Sequence, residues 1–156
     1  MSVVKLDDLD KKILKILQKE GRLSNKELAE RINLTTTPTL ERVRRLEREG
    51  VIEGYSAHLN PNALDKGLSV FVTVTLSVHQ LSLMSEFTEA VKAIPEILSC
   101  YNTTGDGDFL LHIVAKDVKD YEHFMRTILT TLPDVQRINT SIVLSTIKEQ
   151  SSIPVK

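Results

Sequence analysis

The sequence predicts an α+β chain in two parts, and three observations carry that reading. The apolar period is helical up to Asn60, then mixes strand alternation with helical stripes after Gly67. The charge changes at the same place: twelve Lys/Arg against ten Asp/Glu up to Asn60, then eight against eleven from Pro61 onward. Asn60-Pro61-Asn62 opens a turn-forming run that ends near Gly67. The expected organisation is a first domain over residues 1–60, a linker over 61–67 and a second domain over 68–150.

In the first part, Leu9, Ile13, Ile16 and Leu17 share one helical face, and Gly21 closes that helix. Ser24-Asn25-Lys26-Glu27 is a capping box, in which the Ser hydroxyl and the Glu carboxylate each satisfy an orphan amide. The short helix that follows buries Leu28, Ala29 and Ile32. A third helix begins near Thr35, tolerates Pro38 in its first turn, and runs to Glu49 before Gly50 stops it. Val51–Leu59 alternates enough to form a small hairpin. Three short helices and a hairpin predict a winged helix-turn-helix.

In the second part, Val70, Val72, Val74 and Leu76 alternate with Phe71, Thr73, Thr75 and Ser77 as a half-buried strand. Leu83, Phe87, Ala90, Val91 and Ile94 form a helical stripe that ends before Pro95. Strands over Ile97–Thr103 and Phe109–Ala115 are joined through Gly105-Asp106-Gly107-Asp108. A second stripe, Tyr121, Phe124, Met125, Ile128 and Leu132, starts after an Asp117 cap and ends at Pro133. Val135–Ile147 is the last strand. The order βαββαβ is that of a ferredoxin-like split βαβ module.

Composition bounds the function. The 156 residues are 41% hydrophobic and 26% charged, enough for a globular core without covalent staples. A net charge of −1 gives neither a global basic excess nor an acidic, disordered character. The longest apolar runs, such as Val70–Val74, are far too short to span a membrane, and the amino terminus has no signal-peptide pattern. The single cysteine, Cys100, excludes an internal disulfide and argues against a thiolate metal cluster. A cytoplasmic chain is expected.

The third helix is the first candidate site. At about 100° per residue, Leu40, Val43 and Leu46 face inward, while Thr37, Pro38, Glu41, Arg44, Arg45 and Arg48 project outward. Arg42, Arg44, Arg45 and Arg48 lie within seven residues and can neutralise phosphates, and the short Thr37 side chain can approach base edges. The other reading is a solvated face, because Glu41, Glu47 and Glu49 beside those arginines also stabilise a helix. Its place as third helix of a helix-turn-helix favours double-stranded DNA. The local acids keep the affinity of one head modest, which suits a protein that binds through several heads at once.

The same residues resemble a known family. Leu6–Asp10 with Ile13-Leu14, Gly21-Arg22-Leu23-Ser24, Glu27-Leu28, Thr37-Pro38 and Leu40–Glu47 are similar to the Lrp/AsnC (leucine-responsive/asparagine-regulator) transcription factors. The similarity continues through Gly50-Val51-Ile52, Gly54-Tyr55, Leu59-Asn60-Pro61, Phe71-Val72, Pro95-Glu96, Gly105–Leu111 and Leu132-Pro133. The resemblance implies a DNA-binding head, dimers that assemble into octamers or larger rings, and a small amino acid as effector. It places DNA contacts at Asn25, Thr36, Thr37, Pro38, Thr39, Glu41, Arg42, Arg44, Arg45 and Arg48. It places the effector between dimers, around Gly105, Asp106, Gly107 and Asp108, with Ser141, Ile142 and Val143 on the last strand. Gly107 and Ser141 stand where bulkier or aromatic residues are expected, so leucine itself is not implied.

A glycine-rich turn exposes backbone amides to a carboxylate, and an adjacent carboxylate pairs with an ammonium. Asp106-Gly107 is equally well a type I′ hairpin turn that needs no ligand.

Catalysis finds little support. His58, His79, His112 and His123 have no metal-ligand spacing, so no metal is expected. Cys100 reads as a buried small residue, and no phosphate-cradling lysine loop or nucleophile elbow is present. Neither an enzyme nor a cofactor is expected. Some haem-pathway decarboxylases resemble the same architecture, but they need a cationic pocket that the acidic second half does not suggest. RNA-binding βαββαβ domains need stacking aromatics, and Phe109-Leu110-Leu111-His112-Ile113 offers one. The remaining alternative is an amino-acid sensor that acts mainly through oligomerisation.

Overall fold

The computed structural model of the chain describes residues 4–77, 81–149 and 152–156, with 81–83 described by backbone alone. His79 and the side chain of Leu83 lie outside the described residues. Two compact units are formed: Met1–His58 together with Lys148–Lys156, and Leu59–Ile147.

The first unit holds α1 (Asp8–Leu17), α2 (Asn25–Ile32) and α3 (Thr36–Arg48). Capping boxes start the first two. Asp7 and Asp10 exchange side-chain to backbone bonds at α1, as Ser24 and Glu27 do at α2. Helix α2 stops at Asn33 in the left-handed region (φ 57°), and α3 is followed by Gly50 at φ 70°. The core joins Ile13 and Leu14 of α1, Leu28 and Ile32 of α2, and Val43 and Leu46 of α3. Leu9 is only half-buried, and the position that turns fully inward near it is Asp10.

The expected hairpin over Val51–Leu59 is absent. Val51 and Ile52 both donate their N–H groups to the Leu46 carbonyl, at 2.9 and 3.1 Å, and so finish the third helix. The stretch that follows, up to residue 60, forms neither helix nor strand. One nine-residue stretch cannot supply both strands unless it reverses, and none of its residues has the positive φ of a tight hairpin turn.

The second unit runs β1 (Leu68–Leu76), α4 (Leu81–Lys92), β2 (Ile97–Asn102), β3 (Phe109–Ala115), α5 (Val118–Thr127) and β4 (Val135–Ile142). The four strands form one antiparallel sheet in the order β2-β3-β1-β4. That is the predicted split βαβ arrangement. One sheet face, with Val70, Val72, Val74, Leu76, Leu111 and Ile113, is buried with Phe87 and Val91 of α4 and Tyr121 and Phe124 of α5. On the opposite face Phe71 stacks on His112 with centroids 4.7 Å apart, and the His112 Nε2 lies 2.7 Å from the Ser69 hydroxyl.

Three boundaries differ from the sequence reading. Residues 61–67 are no free linker: Pro61–Leu64 form a 3-10 turn capped by Asn60, within the second unit. Helix α5 stops at Thr127, and Leu129–Thr131 make a separate 3-10 turn that buries Leu129. The last strand ends at Ile142 rather than Ile147. Val143 still donates to the Ser69 carbonyl, but β1 offers no residue before Leu68 to pair with, and Leu144 and Ile147 are exposed.

Candidate nucleic-acid interface and loop site

Helix α3 presents two stripes one residue apart, and they do different things. Thr37, Glu41, Arg44 and Arg48 recur at i, i+4, i+7 and i+11, and all four are exposed. Thr36 is exposed beside them at the first helical position. Pro38, Arg42, Arg45 and Glu49 form the neighbouring stripe, about 100° around the helix. Its two arginines turn toward α1. Arg42 Nη1 donates to Asp7 at 2.6 Å and to Asp10 at 2.8 Å, and Arg45 Nη2 donates to the other Asp10 oxygen at 2.5 Å.

This corrects the outward placement of Arg45 and gives Arg42, expected among the phosphate-neutralising arginines, protein partners on α1. Asp10 is fully buried, and an unpaired carboxylate there would be costly, so α3 spends two guanidinium groups on it. The Asp7 carboxyl is held down at about 2, first by the Asp10 N–H it accepts and then by Arg42. The readable signal was the Asp-x-x-Asp spacing of Asp7 and Asp10 at the start of an otherwise basic helix.

Thr39 is also corrected. It is fully buried, and its hydroxyl donates to the Thr35 carbonyl at 2.9 Å, so no base edge can reach it. It occupies the inward position assigned to Leu40, which is half-buried. Pro38 is half-buried, and so is Asn25, the first residue of α2 after the Ser24 cap.

The loop after β2 is fastened to the sheet. Asp108 donates its N–H to the Val74 carbonyl at 2.9 Å, and its Oδ2 accepts the Leu76 N–H at 2.8 Å. The second bond falls where the β1–β4 register shifts between Thr75 and Leu76, leaving that amide outside the regular ladder. The Asp106 carbonyl accepts from Arg137 Nη2 of β4 at 2.9 Å, and the Asp108 carbonyl accepts from the Thr103 N–H and the Asn102 side chain. The N–H groups of Gly105, Asp106 and Gly107 make no hydrogen bond among the described residues.

The Asp106-Gly107 pair is not a type I′ turn, because neither residue has positive φ; that conformation falls on Gly105 (φ 118°). Gly107 is required for space. A Cβ on it would lie 2.3 Å from Thr73 Cγ2 and 3.2 Å from the Val74 carbonyl.

The second half of the expected effector set lies elsewhere. Ser141 pairs with Phe71 and Ile142 with Val70, whereas the loop lies beside Val74–Leu76 and Arg137. Four to six strand residues separate the two sets, roughly 13–20 Å at the usual strand rise. Within one chain, Gly105–Asp108 and Ser141–Val143 do not form one pocket.

Residues 69–153 match the family model of the Lrp/AsnC ligand-binding domain, and residues 6–53 match a winged helix-turn-helix DNA-binding model. The leucine-responsive regulatory protein of Escherichia coli K12 is 42% identical over 151 residues, covering 97% of this chain and 92% of that protein. A Neisseria meningitidis transcriptional regulator solved with L-methionine superposes at a TM-score of 0.92 with 37% identity, covering 96% of this chain and 97% of that one. An AsnC-family transcriptional regulator from Agrobacterium tumefaciens superposes at 0.90 with 31% identity, covering 96% of this chain and 97% of that one.

Proposed function

This chain belongs to the Lrp/AsnC family of transcriptional regulators, and on that premise we propose how it reads DNA and senses its effector. The exposed stripe Thr37, Glu41, Arg44 and Arg48, with Thr36 at its start, enters the major groove of double-stranded DNA. Arg44 and Arg48 contact phosphate or guanine edges, and Thr37 reaches bases from the N-terminal turn. The observation that carries this reading is the division of α3 into an exposed stripe and a stripe pinned to Asp7 and Asp10. Pinning fixes the rotation of the helix about its own axis, so the exposed stripe meets the groove in one orientation.

The effector is a small amino acid. The amides of Gly105, Asp106 and Gly107, unbonded among the described residues, suit its carboxylate, and the Asp108 carboxylate suits its ammonium. Since the loop and Ser141–Val143 stand apart in one chain, the complete pocket needs a second copy to bring them together. That supports a homo-dimer that assembles into larger closed species. The outer sheet face, with Phe71 and Tyr101 exposed, is the apolar surface available for such assembly. Effector binding then shifts the assembly by differential affinity and changes DNA occupancy with it. No helix among the described residues is long and apolar enough to cross a membrane, and the site of action is the cytoplasm, where the DNA is.

The test is fluorescence anisotropy with DNA from upstream of the protein's own gene and with a scrambled duplex, at fixed near-physiological salt. Tighter binding to the upstream duplex, shifted by one or a few of the twenty amino acids, is expected. Equal binding to both duplexes, followed by an empty genome-wide binding screen, would overturn the DNA reading and leave an assembly-type sensor.

A further inference from the structure

The last residues of the chain are seated on the DNA-binding head. Lys148–Lys156 group with the first unit, although the sequence before them belongs to the sheet. The segment lies against apolar residues of the head, and Ile153–Lys156 together with Leu6, Leu14, Leu17, Val51 and Ile52 line an open cleft of about 660 Å³. Val155 packs against the head core there.

The main chain is held as well. Gln18, the C-cap of α1, donates Nε2 to the Ile153 carbonyl at 3.1 Å and accepts the Ile153 N–H on Oε1 at 2.6 Å. A single primary amide thus satisfies both polar groups of one residue, as a neighbouring β-strand would. Pro154 follows, with no N–H to satisfy and a fixed φ that sets the direction from the Gln18 clamp to Val155.

We propose that the cleft between α1 and residues 51–52 is a binding groove for the chain's own C-terminal segment, residues 152–156, and that this segment is a releasable strap on the head. The strap is fixed near its end only, since Leu144, Ile147 and the Ile153 side chain stay exposed. One half-buried valine and one surface amide make a weak contact, which as a free peptide would bind poorly. A short tether supplies an effective concentration on the order of millimolar, enough to keep such a contact largely made and still reversible.

The tether starts where the sheet ends. Val143 lies just past the end of β4, and nine residues separate it from Ile153, a reach of at most roughly 35 Å. Val143 closes the stretch Ser141–Val143, so the segment that carries the strap is covalently continuous with the proposed effector region. This coupling rests on the functional reading above. The seating rests on the geometry of the head alone.

The experiment compares the full chain with Val155→Asp, with Gln18→Ala, and with a chain ending at Lys148. Hydrogen–deuterium exchange of residues 8–18 and 51–55 is read first, without DNA. All three variants are expected to exchange about threefold to tenfold faster there, with the sheet strands unchanged. Exchange in Val155→Asp and in the truncated chain equal to that of the unaltered protein would overturn the strap. Anisotropy on a preferred duplex is read second. An affinity or amino-acid response altered by threefold or more in the same variants supports the coupling, and unaltered values overturn it. If the unaltered chain prefers no duplex, the DNA reading fails while the exchange result still decides the strap.

Discussion

Asp10 and Arg45 are joined across the head by a charge-assisted bond in which the carboxylate is fully buried and the guanidinium is about one-third exposed. Arg42 holds the second Asp10 oxygen, so α1 and α3 are locked by one acid and two bases. Breaking such a pair from the acid side leaves Arg42 with Asp7 alone and removes the short bond of Arg45, although partial exposure lets water recover some of the loss. Asp10→Ala is expected to cost about 2–4 kcal/mol of stability, read by urea unfolding. A loss below about 0.5 kcal/mol would refute the lock.

The two stripes of α3 separate DNA contacts from stability. Arg44→Ala and Arg48→Ala are expected to weaken DNA binding and to lower the slope of log affinity against log salt by about 1 each. The unfolding midpoint should stay in place. Arg45→Ala is expected to lower the unfolding midpoint instead. A salt slope reduced by Arg45→Ala at full stability would put that side chain on the DNA.

Acid should loosen the start of α1. The Asp7 carboxyl titrates at about 2 in the fold, below its ordinary 3.8, because the Asp10 N–H and then Arg42 favour its charged form. Its contribution to stability is therefore complete above about pH 4 and is lost as the pH falls toward 2. Asp7→Asn is expected to flatten the stability–pH curve in that window, measured by chemical unfolding at several acid pH values.

Asp108 combines a structural task with a proposed ligand task. Asp108→Asn retains an acceptor oxygen for the Leu76 N–H but removes the charge proposed to meet an ammonium. Lost amino-acid binding by calorimetry is expected, in a chain that still unfolds cooperatively. Asp108→Ala should also destabilise the fold, by about 1–2 kcal/mol, because the Leu76 amide is left without its acceptor. Normal amino-acid binding in the Asn variant would remove Asp108 from the pocket.

Gly107 should tolerate no side chain. Gly107→Ala brings a methyl group against Thr73 and the Val74 carbonyl and is expected to cost about 1–3 kcal/mol. Thr73→Ser in the same chain removes the methyl group it meets, and recovery of part of the loss would assign the effect to that contact.

The two-part architecture is legible in local sequence patterns. Its capping box at Ser24-Glu27, its helical stripe through Leu28 and Ile32, and its alternation through Val70–Leu76 are local patterns that need no distant partner. The βαββαβ order followed for the same reason, as did the presence of an arginine-rich third helix. Which arginines are available depends on packing between helices. Arg44 and Arg45 are neighbours with the same chemistry, and only the buried Asp10 on another helix sends one inward and leaves the other exposed. Tertiary structure likewise assigned Asp108 to Leu76, separated Ser141 from the loop, and returned Val155 to the head. Each of these joins residues far apart in the chain. Local periodicity reports which face of an element is apolar, but the partner of a polar group is set by whatever packing brings beside it.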